Sequence, residues 1–194
     1  FHQSISSILT IAFALRNRIS LHIRVVKDSP TTCVMASKNS MIIHYYRETE
    51  PSHSLLPSIT EHLKTIGLGD DASLISTIRT ESCFNVQIEG GDLDATSKSR
   101  LEWLLAETFD HAKLRYEESA FQDNSGLLME FGPRMTFTSA FSSNAVSICQ
   151  ACGLTQINRL ELSKRYLLNN TASLSEAGVK AVRSMLHDRM TEQE

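Results

Sequence analysis

The chain is 194 residues long, 41% hydrophobic and 21% charged, with a formal net charge of −3. A domain of roughly 150 residues buries about 68–70% of its unfolded surface, so a full core is possible. The near-neutral balance, with no basic run after residue 40, excludes the strongly positive face on which nucleic-acid binding depends.

Residues 1 to 40 differ in composition from the rest of the chain. They hold Arg16, Arg18, Arg24, Lys27 and Lys38 against the single acid Asp28, are rich in serine and threonine, and open on phenylalanine. The apolar run Ile5–Leu15 is interrupted by Ser6, Ser7 and Thr10 and is too short to span a bilayer, so no membrane partner is expected. Two readings of this leader stand: an organelle transit peptide, or translated upstream sequence ahead of a start at Met35 or Met41. Under both, residues 1–40 form a disordered leader, and the first 34 have no part in the fold.

From Met41 the pattern becomes regular. Met41–Tyr46 is a β-branched and aromatic run, predicted as the first strand. Leu55, Leu56, Ile59, Leu63 and Ile66 recur at helical spacing, ended by Gly67 and Gly69. Leu74, Ile75 and Ile78 precede the polar triplet Arg79-Thr80-Glu81, while Cys83, Phe84, Val86 and Ile88 come after it, which predicts two strands ending at Gly90-Gly91. Asp94 or Thr96 caps a helix whose stripe is Leu101, Trp103, Leu104, Leu105 and Phe109, with Trp103 expected as a core anchor. Residues 110–125, with Glu117, Glu118 and Asp123, read as a solvated connection. A strand over Gly126–Arg134 comes next, then a helix, then a long strand over Ile157–Leu168.

The densest chemistry lies in Glu130–Leu154, EFGPRMTFTSAFSSNAVSICQACGL. Gly132-Pro133 stops the strand, which leaves Arg134 pointing into a polar loop. Ser142 and Ser143 stand before an apolar segment, where a hydroxyl accepts from the open N–H groups of a helix start, and Gly153 closes that helix. Arg134 beside a helix start at Ser143-Asn144 is a candidate anion site; the alternative is that Arg134 pairs with a carboxylate of a neighbouring domain or caps its own loop. Asp188-Arg189 is a second candidate, as a local ion pair or as a contact to another domain.

Four cysteines, Cys33, Cys83, Cys149 and Cys152, are too few and too uneven for a disulfide framework and read as reduced thiols. Cys149-Gln150-Ala151-Cys152 has the spacing of a redox or half-zinc motif. Without a second pair it is better explained as two small hydrophobes on one helix face. No metal site and no catalytic residue is expected: the chain holds no Walker loop, no G-x-G-x-x-G and no suggestive Cys/His or paired-carboxylate constellation.

Three ordered blocks, Glu130–Leu154, NRLELSKRYLL (Asn158–Leu168) and LHDRMTEQ (Leu186–Gln193), resemble the large single-chain form of phosphoribosylformylglycinamidine synthase. MIIHYYR (Met41–Arg47), ESCFNVQIE (Glu81–Glu89) and LEWLLAETF (Leu101–Phe109) fit its opening domain more loosely. The predicted elements and the resemblance agree on an α+β fold, an antiparallel sheet with helices on one face. The resemblance divides it into two fused halves like the family's small subunit, with the boundary in 110–125. It implies an N-terminal adaptor domain over 41–170 and the start of a helical linker over 171–194.

For the whole protein the resemblance implies an ATP- and magnesium-dependent glutamine amidotransferase of purine biosynthesis, a ligase acting on formylglycinamide ribonucleotide (FGAR) and glutamine. The present chain would be a non-catalytic fragment without cofactors of its own, bridging synthetase and glutaminase domains. The alternative is a stand-alone adaptor subunit of a split complex. The expected location is the cytoplasm, or a plastid or mitochondrion if the leader is a transit peptide.

Overall fold

A computed structural model describes residues 40–106, 111–121, 126–170 and 173–194. The expectations for the leader over residues 1–39, and for Phe109 and Asp123, lie outside these. Among the described residues the strands are β1 (Ser40–Thr49), β2 (Ile75–Glu89), β3 (Leu114–Tyr116), β4 (Gly126–Pro133), β5 (Ile157–Asn170) and β6 (Glu192–Gln193). The helices are α1 (Leu55–Thr65), α2 (Gly69–Leu74), α3 (Ala95–Leu105), α4 (Ala140–Ala151) and α5 (Glu176–Leu186).

The strands form one antiparallel sheet in the order β3-β1-β2-β5-β4-β6, so the chain is α+β as its pattern predicts. Taken from each edge inward, the first half contributes β3, β1, β2 and the second β6, β4, β5. The join is the long ladder between β2 and β5, which runs from Ile75 opposite Asn170 to Ile88 opposite Ile157, with irregularities between Ile75 and Thr77 and between Gln87 and Ile88.

Side chains alternate across a strand, so register decides which residues share a face. Phe84 opposite Leu162, Val86 opposite Leu160, Ile78 opposite Leu168 and Leu127 opposite Leu168 all lie on one face. That face carries two apolar clusters. Near one end, Tyr45, Phe84, Val86, Ile88 and Leu160 pack with Leu101 and Leu105 of α3 and Cys149 of α4. Toward the other end, Ile78, Met129, Phe131 and Leu168 pack with Ile59 and Leu63 of α1, Ala72 of α2, and Val182 and Leu186 of α5. Full burial of such side chains stabilises by roughly 1.5–3 kcal/mol each. Among the described residues the five helices thus cover one face of the sheet, and no described helix packs on the other.

Several local expectations need correction. Residues 75–89 form a single strand, because Arg79 and Glu81 are not a turn: they point to the helix-free face, where they find charged partners. Trp103 is 57% exposed, since Leu101 and Leu105, four residues apart, take the buried side of α3 and Trp103 falls nearly opposite them. The cap of α4 is Ser139, whose oxygen accepts from the Ser142 N–H; Ser142 and Ser143 lie inside the first turn. The elements α2, β3 and β6 are additions to the expected set, each with too few residues for a periodic signal. Asp94 does cap α3, accepting from Ser97, and Ser175 caps α5, accepting from Gly178. Helix α5 packs against α1, and β6 pairs with β4, so residues 173–194 complete the same sheet and core.

Candidate interaction sites

The helix-free face carries a continuous polar ribbon across β1, β2, β5 and β4. Glu81, 1% exposed, accepts from Ser119 Oγ, the Ala120 N–H and Arg165 Nη1, each at 2.7 Å. Arg165 also meets Glu130 Oε2 at 3.2 Å, and its guanidinium lies 5.1 Å from the Tyr46 ring centroid. Ser163 Oγ donates to Glu130 Oε1 at 2.7 Å and accepts from Asn85 Nδ2 at 2.9 Å. Asn85 Oδ1 in turn accepts from His44 Nδ1 at 2.8 Å, which requires the proton on that nitrogen. Glu81, Ser163 and Asn85 thus find hydrogen-bond partners, as a low-dielectric setting demands, while the buried Arg165 Nε meets Glu130 as an ion pair without a hydrogen bond.

Within this ribbon Cys83, His44 and Asn85 have the residue types of a thiol nucleophile with its base and orienting amide. Their geometry does not serve that chemistry. Cys83 is 1% exposed and 4.0 Å from His44 Nδ1, and burial, reinforced by the charge of Glu130, pushes its thiol up to about 12. A thiol so raised is protonated at neutral pH and is not a nucleophile. Burial likewise raises Cys149 to about 11; it sits in the core cluster, while Cys152 caps the end of α4 and its carbonyl accepts from Arg100 Nη1 at 2.7 Å. Among the described residues no group of three or more His, Cys, Asp or Glu is placed to hold a metal ion.

Three of the residues singled out in the sequence converge at one edge of the sheet. Pairing of Gly132 with Gln193 and Pro133 with Glu192 brings the end of β4 beside the turn after α5. The Arg134 N–H donates to the Thr191 carbonyl at 3.1 Å, and Arg134 Nη2 donates to the Arg189 carbonyl. Asp188 accepts from the Met190 N–H at 2.8 Å and from Thr191 Oγ1 at 3.0 Å, and these bonds, the backbone one first, hold its carboxyl below the usual range. Arg134 therefore fastens the 188–191 turn to the sheet by donating its backbone N–H and its guanidinium to two carbonyls of that turn. Arg189 is exposed.

Ser143 and Asn144 lie apart from this edge cluster, exposed in the first turn of α4. The start of that helix has its own carboxylate: Glu161, 7% exposed, accepts from the Ser139 N–H at 3.3 Å and from Ser139 Oγ, and pairs with Arg159 Nε at 3.0 Å. A negative group next to a helix N-terminus is the favourable arrangement, here supplied by the fold. On the far side of α3, Ala95, Thr96, Ser99, Arg100 and Trp103 line a shallow open depression of about 570 Å³.

Glu81, Glu161 and Arg165 are not among the residues the sequence singles out by motif. A signal is nonetheless present: Arg79-Thr80-Glu81 and Arg159-Leu160-Glu161 repeat one charged alternation on the paired strands β2 and β5, and charges alternating within an apolar strand mark its second face.

The profile of the Formylglycinamide ribonucleotide amidotransferase N-terminal family matches residues 81–194. Phosphoribosylformylglycinamidine synthase of Dictyostelium discoideum is 41% identical over 124 residues, covering 61% of this chain and 9% of its own length. The probable phosphoribosylformylglycinamidine synthase, chloroplastic/mitochondrial, of Arabidopsis thaliana is 37% identical over 155 residues, 78% of this chain and 11% of its own length. The Homo sapiens phosphoribosylformylglycinamidine synthase is 31% identical over 156 residues, 79% of this chain and 11% of its own. The chain spans about a tenth of the length of these curated relatives. With the family profile matched over more than half of its length, the chain belongs to the formylglycinamide ribonucleotide amidotransferase N-terminal family.

Proposed function

We propose that this chain is the N-terminal adaptor of an ATP- and glutamine-dependent ligase that converts FGAR to formylglycinamidine ribonucleotide, holding synthetase and glutaminase domains in register. Residues 41–170 form the adaptor, and residues 171–194 begin the linker, with α5 and β6 packed onto the adaptor's core and sheet. The observation that carries this reading is that the buried reactive or charged side chains of the sheet are engaged within the fold. Glu81 is held by Arg165, Glu161 by Arg159 and Ser139, Ser163 by Glu130, and Cys83 is kept as a thiol. Such a body supplies rigidity and orientation. ATP, Mg²⁺, FGAR and glutamine belong, on this reading, to the other domains.

The mirrored order of β3-β1-β2 and β5-β4-β6, together with the repeated Arg-x-Glu on β2 and β5, supports an origin from two fused small-subunit-like halves. Cytoplasmic placement goes with a start at Met35 or Met41. The organelle reading of the leader draws support from the name of the Arabidopsis relative. Fusing residues 1–40 to a fluorescent protein separates them by where the signal accumulates.

The test of the main reading is the size of the native polypeptide, probed in lysate with an antibody against residues 41–194. A band several times larger than a 194-residue chain is expected. A band of that chain's own size would replace the reading with a stand-alone adaptor subunit.

A further inference from the structure

We propose that Cys149 and Cys152 are a redox-active dithiol, closed to an intramolecular disulfide by exchange with a low-molecular-weight disulfide of the glutathione class. By spacing alone the pair reads as packing, but the structure separates the two thiols. Cys149 is 2% exposed and belongs to the apolar cluster beneath α4. Cys152 is half-buried, outside that cluster, and is the residue that caps the helix end. Packing therefore accounts for Cys149 and leaves Cys152 unexplained.

The last turn of α4 brings the two residues together. The Cys152 N–H is shared between the Ile148 carbonyl at 3.0 Å and the Cys149 carbonyl at 3.1 Å, so a 3₁₀-type bond joins the α-helical one and side chains three apart draw toward eclipse. Helical Cα atoms at that spacing lie about 5 Å apart, inside the range of about 4.4–6.8 Å that a disulfide spans. Their Cβ atoms are about 5–6 Å apart, against roughly 3.5–4.5 Å in a relaxed bond, so closure has to tighten the turn further. The backbone yields most readily here, because α4 ends at Ala151 and Gly153, at φ +83°, already turns away. The strain that remains makes the bond easy to reduce, which suits a reversible modification and not a structural staple. Burial first, and then the charge of Cys152, push the Cys149 thiol up to about 11, and the second cause is an electrostatic trace of the same proximity.

Exposure sets the order of events. Cys152 gives its proton to water and, as thiolate, attacks one sulfur of the small disulfide; a mixed disulfide forms and one small thiolate departs. Cys149 Sγ then attacks Cys152 Sγ, the protein S–S bond forms, and the second small thiolate leaves with the Cys149 proton. Two protein thiols are oxidised and one small disulfide is reduced to two thiols, so no other oxidant is needed. Buried as it is, Cys149 reacts only once Cys152 holds an electrophilic sulfur beside it. Closure tightens the turn between α4 and β5 where Arg100 of α3 donates to the Cys152 carbonyl at 2.7 Å, so the redox state is felt at a contact between helices of the two halves.

The experiment holds the native protein, at whatever length it is made, in glutathione buffers from reducing to oxidising, quenches it with acid, alkylates it in urea and cuts it with trypsin. Met135–Arg159 is then one peptide that contains Cys149, Cys152 and no other cysteine. In the most oxidising buffer most of that peptide should be unalkylated and lighter by two hydrogens, and excess glutathione should return it to the doubly alkylated form. The peptide Thr80–Lys98, which carries the 1% exposed Cys83, should be at least about tenfold less modified. A Met135–Arg159 peptide that stays doubly alkylated throughout overturns the proposal. So does one that stops at a single glutathione on Cys152, because Cys149 then does not reach it. The variant Cys149→Ser should accumulate that mixed disulfide, and a folded variant that does not accumulate it overturns the order of attack.

Discussion

Replacing Glu81 by alanine is the sharpest test of the polar ribbon. Its carboxylate is 0% exposed as a side chain and Arg165 is 11% exposed. Removal leaves a largely buried guanidinium with Glu130 alone as its acid, at 3.2 Å, and strips the acceptor from Ser119 Oγ and the Ala120 N–H. Breaking a buried pair from one side costs about 3–5 kcal/mol, because the surviving charge stays desolvated. Glu81→Gln keeps the shape and one carbonyl acceptor, and the loss of charge-assisted bonds should cost about 1.5–3 kcal/mol. The double replacement Glu81→Leu with Arg165→Met removes both charges and should recover most of the loss, since an apolar pair of similar volume is often neutral or better. Urea unfolding followed by circular dichroism gives all three values. An alanine variant within about 0.5 kcal/mol of wild type would refute the claim that this network is desolvated and coupled.

Other consequences come from particular contacts. Asp71 is held below the ordinary carboxylate value of about 3.9 by bonds from Ser175, the hydroxyl first. Because its folded value is depressed, its contribution is present above about pH 4 and lost as pH falls through that lower value, so Asp71→Asn should flatten the acid-unfolding curve below pH 4. A Cβ at Gly178 would lie 2.6 Å from Asp71 Oδ2, so Gly178→Ala should destabilise by about 1–3 kcal/mol in thermal melts despite alanine's helix preference. Trp103→Ala should cost under about 1 kcal/mol in the same melts, against about 3–5 for a core tryptophan. Alkylation of the native chain at pH 8 should modify Cys152 before Cys83 and Cys149, whose thiols are raised to about 12 and about 11, with all three reacting alike after unfolding.

What was legible in the sequence was what repeats. Leu55, Ile59 and Leu63 announced α1, and the alternation from Leu160 to Leu168 announced β5, because a buried face imposes its period on the chain. What was hidden is set by partners distant in sequence. Arg79-Thr80-Glu81 looks like a break until Arg165, 84 positions beyond Glu81, lies beside it. Trp103 looks like an anchor until the packing of Leu101 and Leu105 fixes the rotation of α3. The two residues of β6 carry no pattern at all, and only their pairing with Gly132 and Pro133 gives them a place. Of the candidate site, Arg134, Asp188 and Arg189 were recognisable as unusual residues, but their meeting at one edge depends on that pairing.

The core also explains why a division into halves does not make two separable domains. One apolar cluster joins α3 from the first half to α4 from the second, over strands of both. The other joins α1 and α2 from the first half to α5 from the second, again over β2 and β5. Each cluster therefore needs helices from both sides of the 110–125 connection, and the two longest strands, paired side by side, run beneath both. A chain cut there would leave each piece with half of two cores and the inner edge of its longest strand open. The same arrangement leaves the helix-free face rigid, because β2 and β5 are gripped from one side by two apolar clusters and tied across the other by the Glu81–Arg165 pair. Rigidity across the β2–β5 join comes from this interleaving of helices from both sides of the 110–125 connection.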